Sequence, residues 1–417
     1  MAFSARRRQP ATVRVASLDV QHSHRRSAVV LGPVTMPSLD ELRSRFAAMA
    51  AVGPVARIGL QPSTARVRWR FTPHGLDDAV RAADPAADDD PMVLLAALRG
   101  MPDGGIRVLA GRDHLAIDFS HGLGEIPLLD LLVAVLLGGV DPSEPALWRP
   151  YRHAVAPLPA AAVRAIGLRP RRLLPLWRHH RRTKPAATAA PAAGDLGVGP
   201  SPATRIARIA GAEADELRRL RDATRPGVSM FAVYTCALHT AFADNGFDVD
   251  PVVTLPFDVR RYLPVGWDTL ASFSAGLDFT VDPAAGPGAL HSDMGCAVRM
   301  ARPVANLVAS SVKARAARWA RHGADWSVPP RPRMRLLHSS IGSVPRTAWS
   351  FNDPAEACVL VASDPAGPCG VTVTTATVPG ALWMTAEFHE SVFDAEQVCA
   401  AMDSVPERVR ELLSRTG

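Results

Sequence analysis

Cysteine is scarce in this sequence. Its five residues, at positions 236, 296, 358, 369 and 399 of 417, form no Cys-x-x-Cys pair. An odd, scattered set excludes a disulfide framework and a zinc ribbon. Reduced thiols in a cytoplasmic protein are the expectation, and no metal site is expected. Aromatic residues make up 6% of the chain, too few for a base-stacking platform. Lysine is nearly absent: only Lys184 and Lys313 occur, so 45 of the 47 basic residues are arginine. With the many alanines and prolines, the net charge of +7 reads as coding bias as much as selection for polyanion binding, and no nucleic-acid partner is expected. Long hydrophobic runs are missing too. The longest, 126–140, contains Pro127 and Asp130 and falls short of the ~20 residues that a membrane span needs. No apolar segment follows Arg6-Arg7-Arg8, so no secretory signal is expected. There is no Gly-x-Ser-x-Gly elbow to present a serine nucleophile.

What is present is a globular composition, 47% hydrophobic and 21% charged. The length predicts two or three domains, or one two-lobed unit. Residues 13–34 read as two short strands. Ser38 with Glu41 makes a capping box for a helix over 39–49. The alternation in 64–71 predicts a strand. The acidic stretch 76–91 reads as a loop or short surface helix, and 92–99 as a short apolar helix. Residues 105–109 and 114–119 form a predicted hairpin. Its second strand runs into Ser120-His121-Gly122-Leu123-Gly124-Glu125, and Pro127 then opens an apolar helix. Beyond 203 the rhythm restarts. Strands are predicted at 204–209, 251–257, 271–281, 335–339, 357–363, 370–378 and 382–389. Helices are predicted at 212–224 and 230–245, within 288–321, and from Asp394 to 413.

Three histidines precede an acid by four residues: His74 with Asp78, His114 with Asp118, and His121 with Glu125. The first pair lies in the acidic loop and reads as solvated. The second lies within a hairpin strand, where its two members share a face. The third lies where a strand gives way to a glycine-bearing loop and a buried helix. A general base needs an exposed, rigidly held imidazole, and a strand end provides that better than a loop tip.

These residues carry a resemblance. A hairpin, His-x-x-x-acid and an apolar helix resemble the active-site segment of the condensation-domain and CoA-dependent acyltransferase superfamily, whose motif is His-His-x-x-x-Asp-Gly. His121 matches the second histidine. Further on, Asp258-Val259-Arg260-Arg261-Tyr262-Leu263 resembles the family's Asp-x-Arg-x-Tyr-Leu segment. Gly342-Ser343-Val344-Pro345 resembles its Gly-x-x-Pro, and 382–394 its closing strand and helix. Three positions depart from the motif: Ser120 replaces the first histidine, Glu125 the aspartate and Ile126 the glycine. No Asp-Phe-Gly-Trp-Gly segment is found.

The resemblance implies an α/β fold of two chloramphenicol-acetyltransferase-like lobes, each a mixed β-sheet with packed helices. Their expected extents are 1–150 and 204–417, joined by a Pro/Arg-rich crossover over 151–203. It implies acyl transfer from a CoA or carrier-protein thioester to a hydroxyl or amine, with His121 as general base. Glu125 would pair with Arg260 across the lobes. Ser120, Gly122, Gly124 and Ile126 would border the substrate tunnel. No tightly bound cofactor is implied; acyl-CoA or a phosphopantetheine-linked acyl group enters as substrate. A catalytically silent scaffold that recruits a carrier protein or partner enzyme is the alternative. The basic stretch 164–184 leaves three readings open: a solvated crossover, a dock for an acidic carrier protein, or a peripheral membrane contact. Pro170, Pro175 and Pro185 count against the last.

Overall fold

The computed structural model describes residues 11–84, 90–102, 104–154, 156–182, 196–197, 199–317 and 326–415. The triple arginine at 6–8, part of the acidic stretch, the later half of the crossover and the end of the 288–321 helical region lie outside them.

Two mixed sheets with helices against their faces organise the fold. The first orders its strands Cys358–Ser363, Arg26–Gly32, Leu115–Ser120, Ile106–Ala110 and Val80–Ala82. The second runs Ser274–Thr280, Val252–Asp258, Arg335–Ser343, Gly370–Val378, Ala381–His389 and Pro202–Ala210. The predicted hairpin forms, with Ile106 opposite Phe119 and Ala110 opposite Leu115. Both of its strands are buried along their whole length. This fits their nearly unbroken runs of apolar residues.

One strand crosses between the halves. Cys358–Ser363 lies in the C-terminal half of the chain but pairs antiparallel with Arg26–Gly32 in the first sheet. Its Val361 N–H donates to Thr385 Oγ1 of the second sheet at 3.2 Å. The first core accordingly draws on both halves, joining Leu42, Phe46, Ile117 and Leu132 to Leu270, Ile341, Val359 and Val378. Its burial of large apolar side chains stabilises the junction as well as the N-terminal lobe.

Local readings fail where tertiary context or proline decides. Leu18, expected in a strand, lies in a short helix, Ser17–His22. Only Arg68–Phe71 of the alternating 64–71 segment pairs as a strand. The closing helix is two, Ala395–Asp403 and Val405–Ser414. Pro406 cannot donate the hydrogen bond that would carry one helix through. Part of the expected crossover is packed structure: Ala161 and Ala165 are buried against Val259, Tyr262, Leu263 and Leu307.

The second sheet's outer edge is covered. Asn306 Nδ2 donates to Gly276 O at 2.6 Å and Arg302 Nη2 to Asp278 O at 3.0 Å, both from the Arg302–Ala317 helix. These bonds satisfy carbonyls that would otherwise invite another strand. Among the described residues no helix is long and apolar enough to cross a membrane.

Candidate functional site

The segment 120–126 follows the strand Leu115–Ser120 and leads into the helix Ile126–Leu136. Glycine is required here by close approach. A Cβ on Gly122 would stand 2.3 Å from Asp19 O, and one on Gly124 would stand 2.5 Å from Leu270 O. The loop is therefore pressed between the Ser17–His22 helix and a segment of the second lobe.

Hydrogen bonds fix it further. The His121 N–H donates to Arg25 O at 2.8 Å and the Leu123 N–H to Ser120 O at 2.8 Å. Arg57 Nη2 donates to Gly122 O at 2.8 Å and pairs with buried Asp19 at 3.1 Å. Ser120 is buried, and its hydroxyl donates to Ser23 O at 3.1 Å.

Glu125 is the N-cap residue of Ile126–Leu136, but its side chain does not cap that helix. It reaches into the second lobe. Its carboxylate accepts from Arg260 Nη1 at 3.1 Å, Ser272 Oγ at 2.9 Å, Ser274 N–H at 3.1 Å and Ser274 Oγ at 2.8 Å. Arg260 also donates to Asp258 Oδ1 at 3.1 Å, Thr269 O at 2.8 Å and Ala271 O at 2.6 Å. Both partners are buried, at 8% and 10% side-chain exposure. Burial alone would raise the Glu125 pKa, but Arg260, His121 and the Ser274 hydroxyl outweigh it and hold the group down at about 2. A buried charge is tolerated on these terms, paired and fully hydrogen-bonded.

His121 is half-buried. Burial lowers its pKa to about 4, against the opposing pull of Glu125. The imidazole is thus neutral near pH 7, the state in which it accepts a proton. The Ser27 hydroxyl lies 3.5 Å from Nδ1, too long to fix the tautomer.

A second imidazole stands beside it. The His22 ring centroid is 5.5 Å from that of His121, the planes tilted by 36°. Its Nδ1 lies 2.8 Å from Ser272 Oγ. The single Ser272 proton goes to Glu125 Oε1, so Ser272 must accept from His22 Nδ1–H. The lone pair of His22 then lies on Nε2. Burial also lowers the His22 pKa.

The structure thus brings together His121, Glu125 and Arg260, with Ser120, Gly122 and Gly124 in the loop's own contacts. Ile126 opens the helix half-buried against the first core. His74 is exposed, and Asp118 is paired instead with Arg26 and Arg107. Sequence reasoning missed His22, Ser272, Ser274, Asp19 and Arg57. Nothing in their spacing marks them, because they join the site only through the packing of remote segments. A cavity of about 800 Å³ lies wholly within the N-terminal lobe and is bordered by Ser120, Ser23 and Gly105 rather than His121.

No family model matches the chain, and none of the curated proteins does. Solved structures do. The TRI3 trichothecene 15-O-acetyltransferase of Fusarium sporotrichioides superposes with a TM-score of 0.67 at 9% identity, covering 96% of this chain and 95% of its own. The condensation domain of the monacolin K polyketide synthase MokA gives 0.59 at 12% identity, covering 97% of each. A mutant starter condensation domain of rhizomide synthetase RzmA, in complex with C8-CoA, gives 0.57 at 13% identity, covering 97% of this chain and 95% of its own. At such identities the likeness is one of fold. The chain has the two-lobed α/β fold of condensation domains and CoA-dependent acyltransferases.

Proposed function

We propose that the protein is an acyltransferase that moves an acyl group from a CoA or carrier-protein thioester to a hydroxyl or amine. The observation that carries this reading is the placement of His121. It is a neutral imidazole on a loop clamped to the second lobe through Glu125 and Arg260. The structural neighbours support it: one is a named acetyltransferase and another is bound to C8-CoA.

The chemistry is general-base acyl transfer. The acceptor's O–H or N–H proton passes to His121 as its heteroatom bonds to the thioester carbonyl carbon. The tetrahedral intermediate collapses with breakage of the C–S bond, and the imidazolium returns the proton to the departing thiolate. The low basicity of His121 reflects burial, and a developing oxyanion beside it would raise its pKa. His22, bonded to Ser272, places a second imidazole ring beside His121. Glu125 stays ionised and acts as a tie between lobes. Residues 1–150 and 204–417 supply the two lobes in this reading, with the strand 358–363 lent to the first. The reaction is placed in the cytoplasm, and the product is an ester or amide of a lipid or secondary metabolite.

The test is thiol release from acyl-CoAs of increasing length, with mixed alcohols and amines as acceptors. Wild type and His121→Ala run side by side. Release by wild type alone carries the reading. Equal release from both removes His121 from the mechanism. The second reading, a silent scaffold that recruits a carrier protein or partner enzyme, is favoured by the substitutions Ser120, Glu125 and Ile126. It predicts no release from either chain and unchanged partner binding in His121→Ala.

A further inference from the structure

Nine large hydrophobic side chains are exposed among the described residues; five of them, Val163, Leu168, Leu173, Trp177 and Val265, line two grooves, and Leu174 follows Leu173 on the same helix. The exposures of these six run from 51% to 93%. A groove of about 670 Å³ joins Val163 and Leu168 to Val265 and Trp267. A second, of about 790 Å³, joins Val163 to Leu173 and Trp177. The two grooves meet at Val163. Scattered single hydrophobics need no explanation, but a contiguous set does.

The surface is a built one. Its inner side is anchored by Ala161 and Ala165 in the cluster with Tyr262 and Leu307. Arg164 donates to Leu263 O, and Arg172 Nη1 donates to Ala165 O at 2.8 Å. The stretch Leu173–Arg182 is helical. Pro175 falls in its first turn, where a missing N–H costs no helical bond. The helix is ten residues long and begins after Pro170. Leu173, Leu174 and Trp177 span about 100° of that helix. The Arg181 guanidinium lies over the Trp177 ring at 4.8 Å.

The charge of the crossover segment is of one sign, although Asp278 lines the second groove beside Arg302. Between Glu144 and Asp195 the sequence holds nine arginines and one lysine and no acidic residue. Arg169, Arg171, Arg178 and Arg181 are exposed around the apolar side chains.

We propose that this face docks on an anionic lipid surface, with Leu168, Leu174, Trp177 and Val265 entering the headgroup boundary and the arginines binding lipid phosphates. Interleaved arginine and apolar side chains with an interfacial tryptophan are the chemistry of a peripheral membrane contact. Leu168 and Val265 are the most open of these side chains, at 73% and 93% exposure. The proposal is independent of the catalytic reading.

The test is co-sedimentation of the full chain with phosphatidylglycerol and with phosphatidylcholine vesicles, at low and high salt. Binding to the anionic vesicles alone, weakened by salt, is expected. The pair Arg171→Gln and Arg178→Gln should weaken binding about fivefold per charge. The pair Leu174→Ser and Trp177→Ser should weaken it at least about tenfold while the thermal transition stays in place. His121→Ala should bind as wild type does. Absence of vesicle binding, equal binding to both lipids, or binding unaltered by the Leu174/Trp177 pair overturns the proposal. Saturable binding of an acidic acyl carrier protein without vesicle binding also overturns it and assigns the face to a protein.

Discussion

Replacing Arg260 by methionine removes the cation facing Glu125 while keeping much of the apolar stem. The Glu125 carboxyl sits at about 2 instead of 4.5, a shift worth about 3 kcal/mol of stability at neutral pH. Three donors would remain on the carboxylate, from Ser272 and Ser274. The variant would also leave Thr269 O and Ala271 O without their donors, at about 1 kcal/mol each when no water replaces them. Arg260→Met should therefore cost about 3–5 kcal/mol near neutral pH, the range for breaking one side of a buried ion pair. The sign of the pH dependence follows. A depressed carboxyl pKa stabilises the fold above 4.5, and that stability is lost as pH falls through about 2. The difference between variant and wild type should thus shrink on acidification. Urea unfolding followed by circular dichroism, at neutral pH and at the lowest pH where wild type stays folded, measures it. Adding Glu125→Gln should recover at least about 1 kcal/mol relative to the sum of the single changes. A cost below about 1 kcal/mol at neutral pH, or a cost independent of pH, would refute the reasoning.

Other expectations can be checked as directly. Gly122→Ala should lower the melting temperature and abolish any His121-dependent thiol release, because its Cβ would stand 2.3 Å from Asp19 O. Gly288→Ala, in a helix with nothing within 4 Å of the new methyl, should be neutral or stabilising by about 0.5–1 kcal/mol. Ser272→Ala should disturb the His22 tautomer without unfolding the chain; the pH profile of any His121-dependent thiol release should shift, and an unaltered profile would show that His22 does not tune His121. Burial pushes the Cys236 and Cys358 thiols up to about 12, so a colorimetric disulfide reagent near neutral pH should titrate neither until the protein unfolds.

Periodicity made most of this fold legible. The hairpin at 106–120, the capping box at Ser38 and the helix capped by Ser229 follow from local pattern, and each forms. What escaped is non-local. Nothing in 358–363 announces that it pairs with 26–32 rather than with its neighbours in sequence. A uniformly apolar strand fits either sheet, and the choice is made by packing across the junction. The same holds for the site. His121 and Glu125 are four residues apart and visible to a spacing argument. Ser272 and His22 are 250 residues apart and visible only once the lobes meet.

The motif's departures fall where this structure supplies other contacts. Glu125 is one methylene longer than aspartate, and that reach lets a residue on the helix N-cap bond to Arg260, Ser272 and Ser274 on the facing lobe. Ser120 is too short to place an imidazole, and its hydroxyl instead ties the strand end to Ser23. Yet the site still holds two imidazoles, because the helix Ser17–His22 delivers one to a centroid distance of 5.5 Å from His121. Gly122 permits that approach: only a residue without Cβ lets the loop press against Asp19. A substitution in one element is thus matched by a residue from another, and the link between them is a glycine. Neither half of the chain can assemble this arrangement alone. The loop comes from the first, two serines and the arginine from the second, and Ser363, on the strand that crosses between sheets, lies 3.1 Å from Ser27, the neighbour of His121. Any perturbation that separates the lobes should therefore release Glu125 and His121 together, so any His121-dependent thiol release and the Glu125 ion pair should be lost in a single step.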